Sequence, residues 1–458
     1  MKKNIFSIIA LSIFFSSQLF SQSKRVRFVD LINRASIQTI FTDDVFLPTE
    51  TGSTSYVTIF KFYNSIFPYK KISGDILSRA PEAAELYATM RLSKEVFYGL
   101  SKEKNTEIEV VERDIWNDTL YTISTKTDNL EKKYTSGSLV TELNSGSYHS
   151  VLQLSFMENT NEQIFKPKDI KIINWSNKME GEIYFITAEH SDSTLLYFTN
   201  LGDNILYGED FRTLIRIPTF STDATYEIKI NTISISRKDT LKGKEVFTYT
   251  IDKEDLIVGK FPKFNKNGAP SLQMVDSKSN LTYAIVPIPH STFENATYEI
   301  AITHQESDKP IAKKTFQSYW ADMPASLYNL DIAIKHLKFF LKKEDLKKIN
   351  SGTKQEKEQK FRAFWKRLDP TPNTVFNERM DEYYRRIDYA FKEYGNKGNI
   401  DGHESDQGKV YINYGSPDSI DRKFPTNSEV IEIWKYGTRR FVFKANSGFG
   451  DFELIGTE

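Results

Sequence analysis

Asp401-Gly402-His403-Glu404-Ser405-Asp406 sets one imidazole and three carboxylates on a short glycine-containing loop. The first chemistry such a cluster offers is metal binding. An EF-hand opening at Asp401 needs oxygen ligands at 403 and 405 and a glutamate at 412; Ser405 qualifies, while His403 and Ile412 fail. His403-Glu404 also lacks the second histidine of a zinc helix. The second chemistry is carboxylate acid–base work, for which Asp369, Glu378, Asp381, Glu382 and Asp406 are available to converge around a glycosidic bond. Arg385 and Arg386 argue against it, because an arginine beside an acid lowers its pKa and spoils a general acid. Asp406 is therefore expected to brace its turn, accepting backbone amides or pairing with Arg385 or Arg386. His403 is expected as a partly exposed ring. No catalytic residue, metal or cofactor is expected. Gly448 and Gly450 lack the third glycine of a dinucleotide loop, and neither a GxSxG elbow nor a GxxxxGK loop occurs.

The elements that position this cluster belong to a chain of 458 residues, long enough for about three domains. Basic and acidic residues number 61 each, so no net field recruits nucleic acid. The absence of cysteine removes disulfides, thiolate zinc sites, iron–sulfur clusters and cysteine nucleophiles together. Histidines at 149, 190, 290, 304, 336 and 403 form no pair at helical metal spacing. Aromatics at 14% supply enough apolar surface to offset the entropy of ordering, which sets the chain apart from disordered sequences.

Met1-Lys2-Lys3-Asn4 followed by the apolar run Ile5 to Phe15 has the form of a secretory leader, with small Ser21 as the last residue removed. The run is shorter than the roughly 20 apolar residues that span a bilayer. No cysteine follows, so a lipoprotein anchor is not expected, and no later segment reads as a transmembrane helix. Removal of Lys2 and Lys3 leaves 59 basic against 61 acidic residues, a charge of −2. The expected location is periplasmic or outer-membrane associated.

From residue 22 to about 320 the pattern is β. Tyr56 to Phe62, Thr106 to Val111 and Ala84 to Leu92 alternate with period two, the last placing Leu86, Ala88, Met90 and Leu92 on one face. The turn Asn144 to Ser147 feeds a strand through Phe156. Asp223 to Ile230 and Asn295 to Ile302 are nearly one octapeptide, which ordinary strand chemistry accounts for without a duplication. Short strands with frequent turns indicate tandem antiparallel Ig-like β-sandwiches, 22–175 and 176–320, with the boundary near Trp175-Ser176-Asn177-Lys178. Trp116 and Tyr121 are candidates to stack on sugar rings, though core positions suit them better.

Beyond 320 the period becomes helical. Leu327, Leu330, Ile334, Leu337 and Leu341 mark a first helix. Thr353 and Glu356 form a capping box that opens a second, which Asp369-Pro370-Thr371-Pro372 stops. A third carries Phe376 to Tyr394 and ends at Gly395 and Gly398. Strands are expected at Lys409 to Tyr414, Glu429 to Tyr436, Arg439 to Lys444 and Phe452 to Ile455. Trp434, in phase with Glu432, is expected beneath the helices. Three helices and a small sheet make residues 321–458 a compact α+β domain. Between Lys335 and Arg367 twelve basic residues face four acids, a net +8 on amphipathic helices, with Lys342, Lys343, Lys347 and Lys348 at its centre. Such a stretch is either a solvated face or a docking surface for anionic head groups or an acidic partner.

Phe364-Trp365-Lys366-Arg367-Leu368-Asp369-Pro370-Thr371-Pro372, Asn377-Glu378 and Glu382 to Ala390 resemble the GWxTD-domain family of exported bacterial proteins. Gly402 to Asp406 stands at the motif that gives the family its name, and Gly408 to Asp418, Glu432 to Tyr436, Phe441 to Phe443 and Gly448 to Ile455 continue the likeness over roughly 325–458. His403 replaces the motif tryptophan, Ser405 its threonine, and Gln407 stands where a basic residue is usual. The resemblance implies β-sandwich modules before an α+β domain and an exported protein; it implies no reaction.

Two functions remain in view. One is a non-catalytic cell-envelope protein whose carboxy-terminal module binds an envelope protein or anionic surface. The other is a carbohydrate-active enzyme or glycan-binding protein using clustered carboxylates. Salt-bridged acids beside a basic patch favour the first; two carboxylates 5–10 Å apart with one desolvated favour the second.

Overall fold

Alternating strands build residues 38–319 into one unit, and helices build residues 320–458, joined by 27–34, into another. The computed structural model describes residues 27–34, 38–101, 109–123, 134–156, 162–175, 180–187, 195–218, 220–235, 240–277, 281–304, 307–395, 401–424, 429–445 and 452–458. The expected leader 1–21, the boundary residues Ser176-Asn177-Lys178, Gly398 and Gly448 to Asp451 lie outside the described residues.

The β-unit is sandwich-like in two halves. In the first, the sheet of Ile40–Pro48, Thr54–Tyr63 and Tyr134–Leu143 packs against a sheet centred on Leu86–Tyr98. Leu86, Ala88, Met90 and Leu92 are buried as their alternation requires, against Phe60, Phe62, Leu139, Leu152 and Leu154. Each of the leucine, methionine and phenylalanine side chains contributes ~1.5–3 kcal/mol on burial, and Ala88 less. Trp116 packs edge-on against Phe60 at 4.9 Å, so its ring serves the core. Lys94 is wholly buried here, donating to the carbonyls of Tyr56 and Leu139.

In the second half, the sheet through Glu182–Thr187, Phe211–Ile217 and Thr282–Ile288 faces the one through Tyr226–Ile235, Thr297–His304 and Ser307–Tyr319. The two similar octapeptides are antiparallel neighbours in that sheet, Ile228 opposite Ile302 and Ile230 opposite Ile300, all four in one core. Shared packing thus accounts for their likeness. Among the described residues no strand before 175 pairs with one after it, yet Val45, Leu47, Val57 and Ile59 share a cluster with Tyr184, Ile186 and Tyr283.

The carboxy-terminal unit holds α1 (Phe28–Arg34), α2 (Leu330–His336), α3 (Lys343–Ile349), α4 (Lys354–Lys366), α5 (Glu378–Glu393) and α6 (Asp406–Tyr414). The expected capping box opens α4: Thr353 accepts the Glu356 N–H while Glu356 accepts the Thr353 N–H. The first helix, expected to run through Leu341, instead breaks. A 3-10 turn spans Leu337–Phe339, and Lys342 adopts extended backbone at φ −66°, ψ 154°, so α3 starts afresh.

Lys409 to Tyr414, expected as a strand, is the body of α6. Its Val-x-Ile alternation is outweighed by helix punctuation: Ser405 accepts the Gly408 N–H at one end, and Gly415 at φ 79° closes the other. Ser419–Lys423 supplies the fourth strand, beside Ile431–Tyr436, Arg439–Ala445 and Phe452–Thr457. Trp434 lies fully buried with Val410, Phe441 and Phe443, beneath α6 as its strand phase requires.

Candidate functional site

Each residue of the motif has a local reason for its type. A Cβ built on Gly402 would stand 2.1 Å from the Ala390 carbonyl oxygen, and one on Gly408 would stand 1.9 Å from that of Gly402. Only glycine lets the 3-10 turn Gly402–Glu404 lie this close to α5 and α6. Ser405 is the N-cap of α6, its Oγ 3.0 Å from the Gly408 nitrogen. Serine and threonine fill that role alike, so this departure from the family motif keeps its chemistry.

Asp406 opens α6, where a carboxylate meets the positive end of the helix dipole. One carboxylate oxygen accepts the Leu454 N–H at 3.1 Å and the other the Lys409 ammonium at 3.0 Å. Burial pushes the carboxyl up, but those two donors outweigh it and hold it below its ordinary value. The backbone-amide part of the expectation agrees. The arginine part does not, because acids of α5 itself pair with both guanidiniums. Arg385 pairs with Asp381 at 2.6 Å and donates to the Ala321 carbonyl, and Arg386 pairs with Glu382 at 2.7 Å. Such i, i+4 pairs form without any tertiary reach.

His403 is buried, 3% exposed, where a partly exposed ring was expected. A single-residue view could not see the aromatic shell closing around it: Phe28, His336, Phe339 and Phe391 lie at 5.1–5.9 Å between ring centroids. Burial lowers the pKa of His403 and of His336. Glu404 is ion-paired with Lys338. Asp369 and Glu378 meet on Thr371, Asp369 accepting its N–H at 2.9 Å and Glu378 its hydroxyl at 2.6 Å. They brace the Asp-Pro-Thr-Pro turn.

Two acids carry more of this unit than the sequence reading assigned them. Glu432 is 2% exposed and accepts three donors: Trp434 Nε1 at 2.6 Å, Gln407 Nε2 at 2.9 Å and Arg422 Nε at 2.5 Å. Its shared phase with Trp434 was the available signal. Asp388 accepts the Ala325 N–H at 2.6 Å, and burial raises its carboxyl to about 7 against that bond and Lys392. Among the described residues no three His, Asp or Glu side chains are arranged to hold a metal. A small cleft lined by Asp43, Tyr184, Asn200 and Lys314 belongs to the β-unit and contains none of these residues.

The lysine face lies on and before α3. Lys342, Lys343, Lys347 and Lys348 are all exposed. Lys348 pairs with Asp345 at 2.9 Å, whereas no ion pair holds Lys342, Lys343 or Lys347 among the described residues.

Residues 303–452 match the family model of the GWxTD domain. No curated protein matches the chain. Among solved structures, the C-terminal domain of the antigen I/II-family protein AspA of Streptococcus pyogenes is similar at 8% identity, over 62% of this chain and 100% of that one. Its TM-score is 0.18, too low to bear on fold or function.

Proposed function

We propose that this chain, whose carboxy-terminal region is a GWxTD domain, is an exported, non-catalytic interaction protein of the cell envelope, periplasmic or at the outer membrane. Its layout is a leader at 1–21, β-sandwiches at 22–175 and 176–320, and a module at 321–458 that docks on an anionic envelope surface. The leader-like amino terminus supports export. The observation that carries docking is the trio Lys342, Lys343 and Lys347, exposed and without ion pairs among the described residues. Each lysine near an anionic membrane contributes about 1 kcal/mol, so the trio supplies a useful fraction of binding without any one contact being strong.

The motif supports the non-catalytic half. Carboxylates at 369, 378, 381, 382, 404 and 406 each hold a hydroxyl, amide or cation of their own fold. These bonds tie the acids to the fold, although burial raises the carboxyl of Asp381 even beside Arg385. Burial favours the carbohydrate-active alternative at two acids: it raises the carboxyl of Asp381, and it raises that of Asp388 to about 7, the range of a general acid. The bond of Asp388 to the Ala325 N–H gives it a structural task instead, capping the 3-10 turn Ala325–Tyr328. Sedimentation with envelope fractions tests docking. The chain should pellet at low salt and stay soluble at about 1 M, where charge is screened within roughly 3 Å. Salt-independent pelleting would count against it.

A further inference from the structure

The helix α1 joins a module that begins almost three hundred residues later in the chain. Seven residues cannot hold a helix in water by themselves, so its docking must hold it. Phe28, 9% exposed, is the one buried residue among its described side chains. The Phe28 ring packs T-shaped with His336 at 4.5 Å, with Phe391 at 5.1 Å and with His403 at 5.3 Å. Phe28 is thus the buried anchor among the strap's described side chains, and two imidazoles 5.1 Å apart form much of its seat.

We propose that residues 27–34 are a strap held by Phe28 in this recess and let go when the His336–His403 pair takes up protons. Neutral imidazoles suit this largely aromatic recess; charged ones do not, because the seat offers them little water. The surrounding charges add to the effect. Lys335 of α2 and Lys338 of the following turn oppose protonation of both rings, while Asp401 and Glu404 favour it at His403. On the strap itself Arg27 and Asp30 pair with each other at 3.0 Å. From the turn Ala325–Tyr328, the Ser326 hydroxyl lies 2.9 Å from His336 Nδ1, and from α5 the Tyr383 hydroxyl donates to the His336 carbonyl. His403 Nδ1 is buried with no hydrogen-bond partner, so a proton added there gains no acceptor.

Burial lowers the pKa of both histidines, and His403 lowers that of His336 further. The strapped state therefore binds fewer protons than the released one. It is favoured above the ordinary histidine pKa of about 6.5 and loses favour as pH falls below it.

Hydrogen exchange of the full chain between pH 7.5 and 5.5, corrected for intrinsic rates, tests this. Protection of amides 30–34 should hold above about pH 6.5 and below it fall roughly tenfold per pH unit if one imidazole charges on release, and up to a hundredfold if both do, while α5 amides stay protected. Phe28→Ala should lose strap protection at every pH. His403→Phe, which keeps a ring but cannot charge, should flatten the pH slope. Unchanged protection across the titration would overturn the proposal, as would loss in step with α5, a protected strap in Phe28→Ala, or an unaltered slope in His403→Phe.

Discussion

Glu432→Ala removes one carboxylate from beneath the small sheet and strands three donors at once. Glu432 is 2% exposed, Trp434 0% and Gln407 7%. The indole N–H and the Gln407 amide, now 2.6 and 2.9 Å from Oε1, therefore cannot turn to water. An unpaired buried donor costs ~1–3 kcal/mol. Arg422 loses its 2.5 Å partner too, but its side chain is 57% exposed and resolvates, so its share is small. Two buried donors and the cavity together give about 3–5 kcal/mol. Urea unfolding of the full chain, followed by hydrogen exchange in α6 and the Ile431–Tyr436 strand, isolates the carboxy-terminal unit from the β-unit. Arg422→Ala serves as the control and should cost below about 1 kcal/mol. A loss under about 0.5 kcal/mol for Glu432→Ala would refute the reasoning. So would an Arg422→Ala loss of equal size, because the surface pair rather than the buried bonds would then hold the sheet.

Three further outcomes follow from the same unit. Gly402→Ala forces a Cβ against the Ala390 carbonyl, 2.1 Å away, and should cost ~3 kcal/mol or more by thermal unfolding; an unchanged Tm would mean the turn shifts freely. Asp406→Ala leaves the Leu454 N–H unpaired and should cost ~1–2 kcal/mol, with docking at the lysine face retained below the melting point; a lost docking with unchanged melting would make Asp406 a ligand carboxylate. Asp388 is raised from 3.8 to about 7 in the fold. Its contribution is thus fully present below about pH 4 and is lost as pH rises through 7, a change on the order of a few kcal/mol. Urea midpoints between pH 4 and 8 should show that decline in the parent and not in Asp388→Asn; parallel curves would contradict it.

Period and punctuation made the architecture legible. Leu86, Ala88, Met90 and Leu92 announced a strand face, and Thr353 with Glu356 announced the start of α4. The errors fell where a short pattern met a stronger local signal. Val410 and Ile412 alternate like a strand, but two residues of alternation weigh less than a serine cap and a glycine stop enclosing nine residues. His403 could not be placed from sequence, because its shell comes from Phe28, His336, Phe339 and Phe391, spread over the whole chain. Arg385 and Arg386 were within reach of Asp406 on paper. Acids four residues earlier on the same helix took them first. Glu432 was legible in part: it shares the strand face of the buried Trp434, as does the half-buried Tyr436.

Co-sedimentation of the full chain with lipid vesicles tests the central claim most directly. Vesicles of zwitterionic lipid are compared with others in which about a third of the lipid is anionic, for the parent and for Lys342→Glu/Lys343→Glu/Lys347→Glu. The parent should bind the anionic vesicles, at least tenfold more tightly than the zwitterionic ones, and the triple variant should lose that preference while its thermal unfolding stays within about 0.5 kcal/mol of the parent's. A parent that ignores lipid charge, or a triple variant that binds as the parent does, would contradict an anionic docking face on α3.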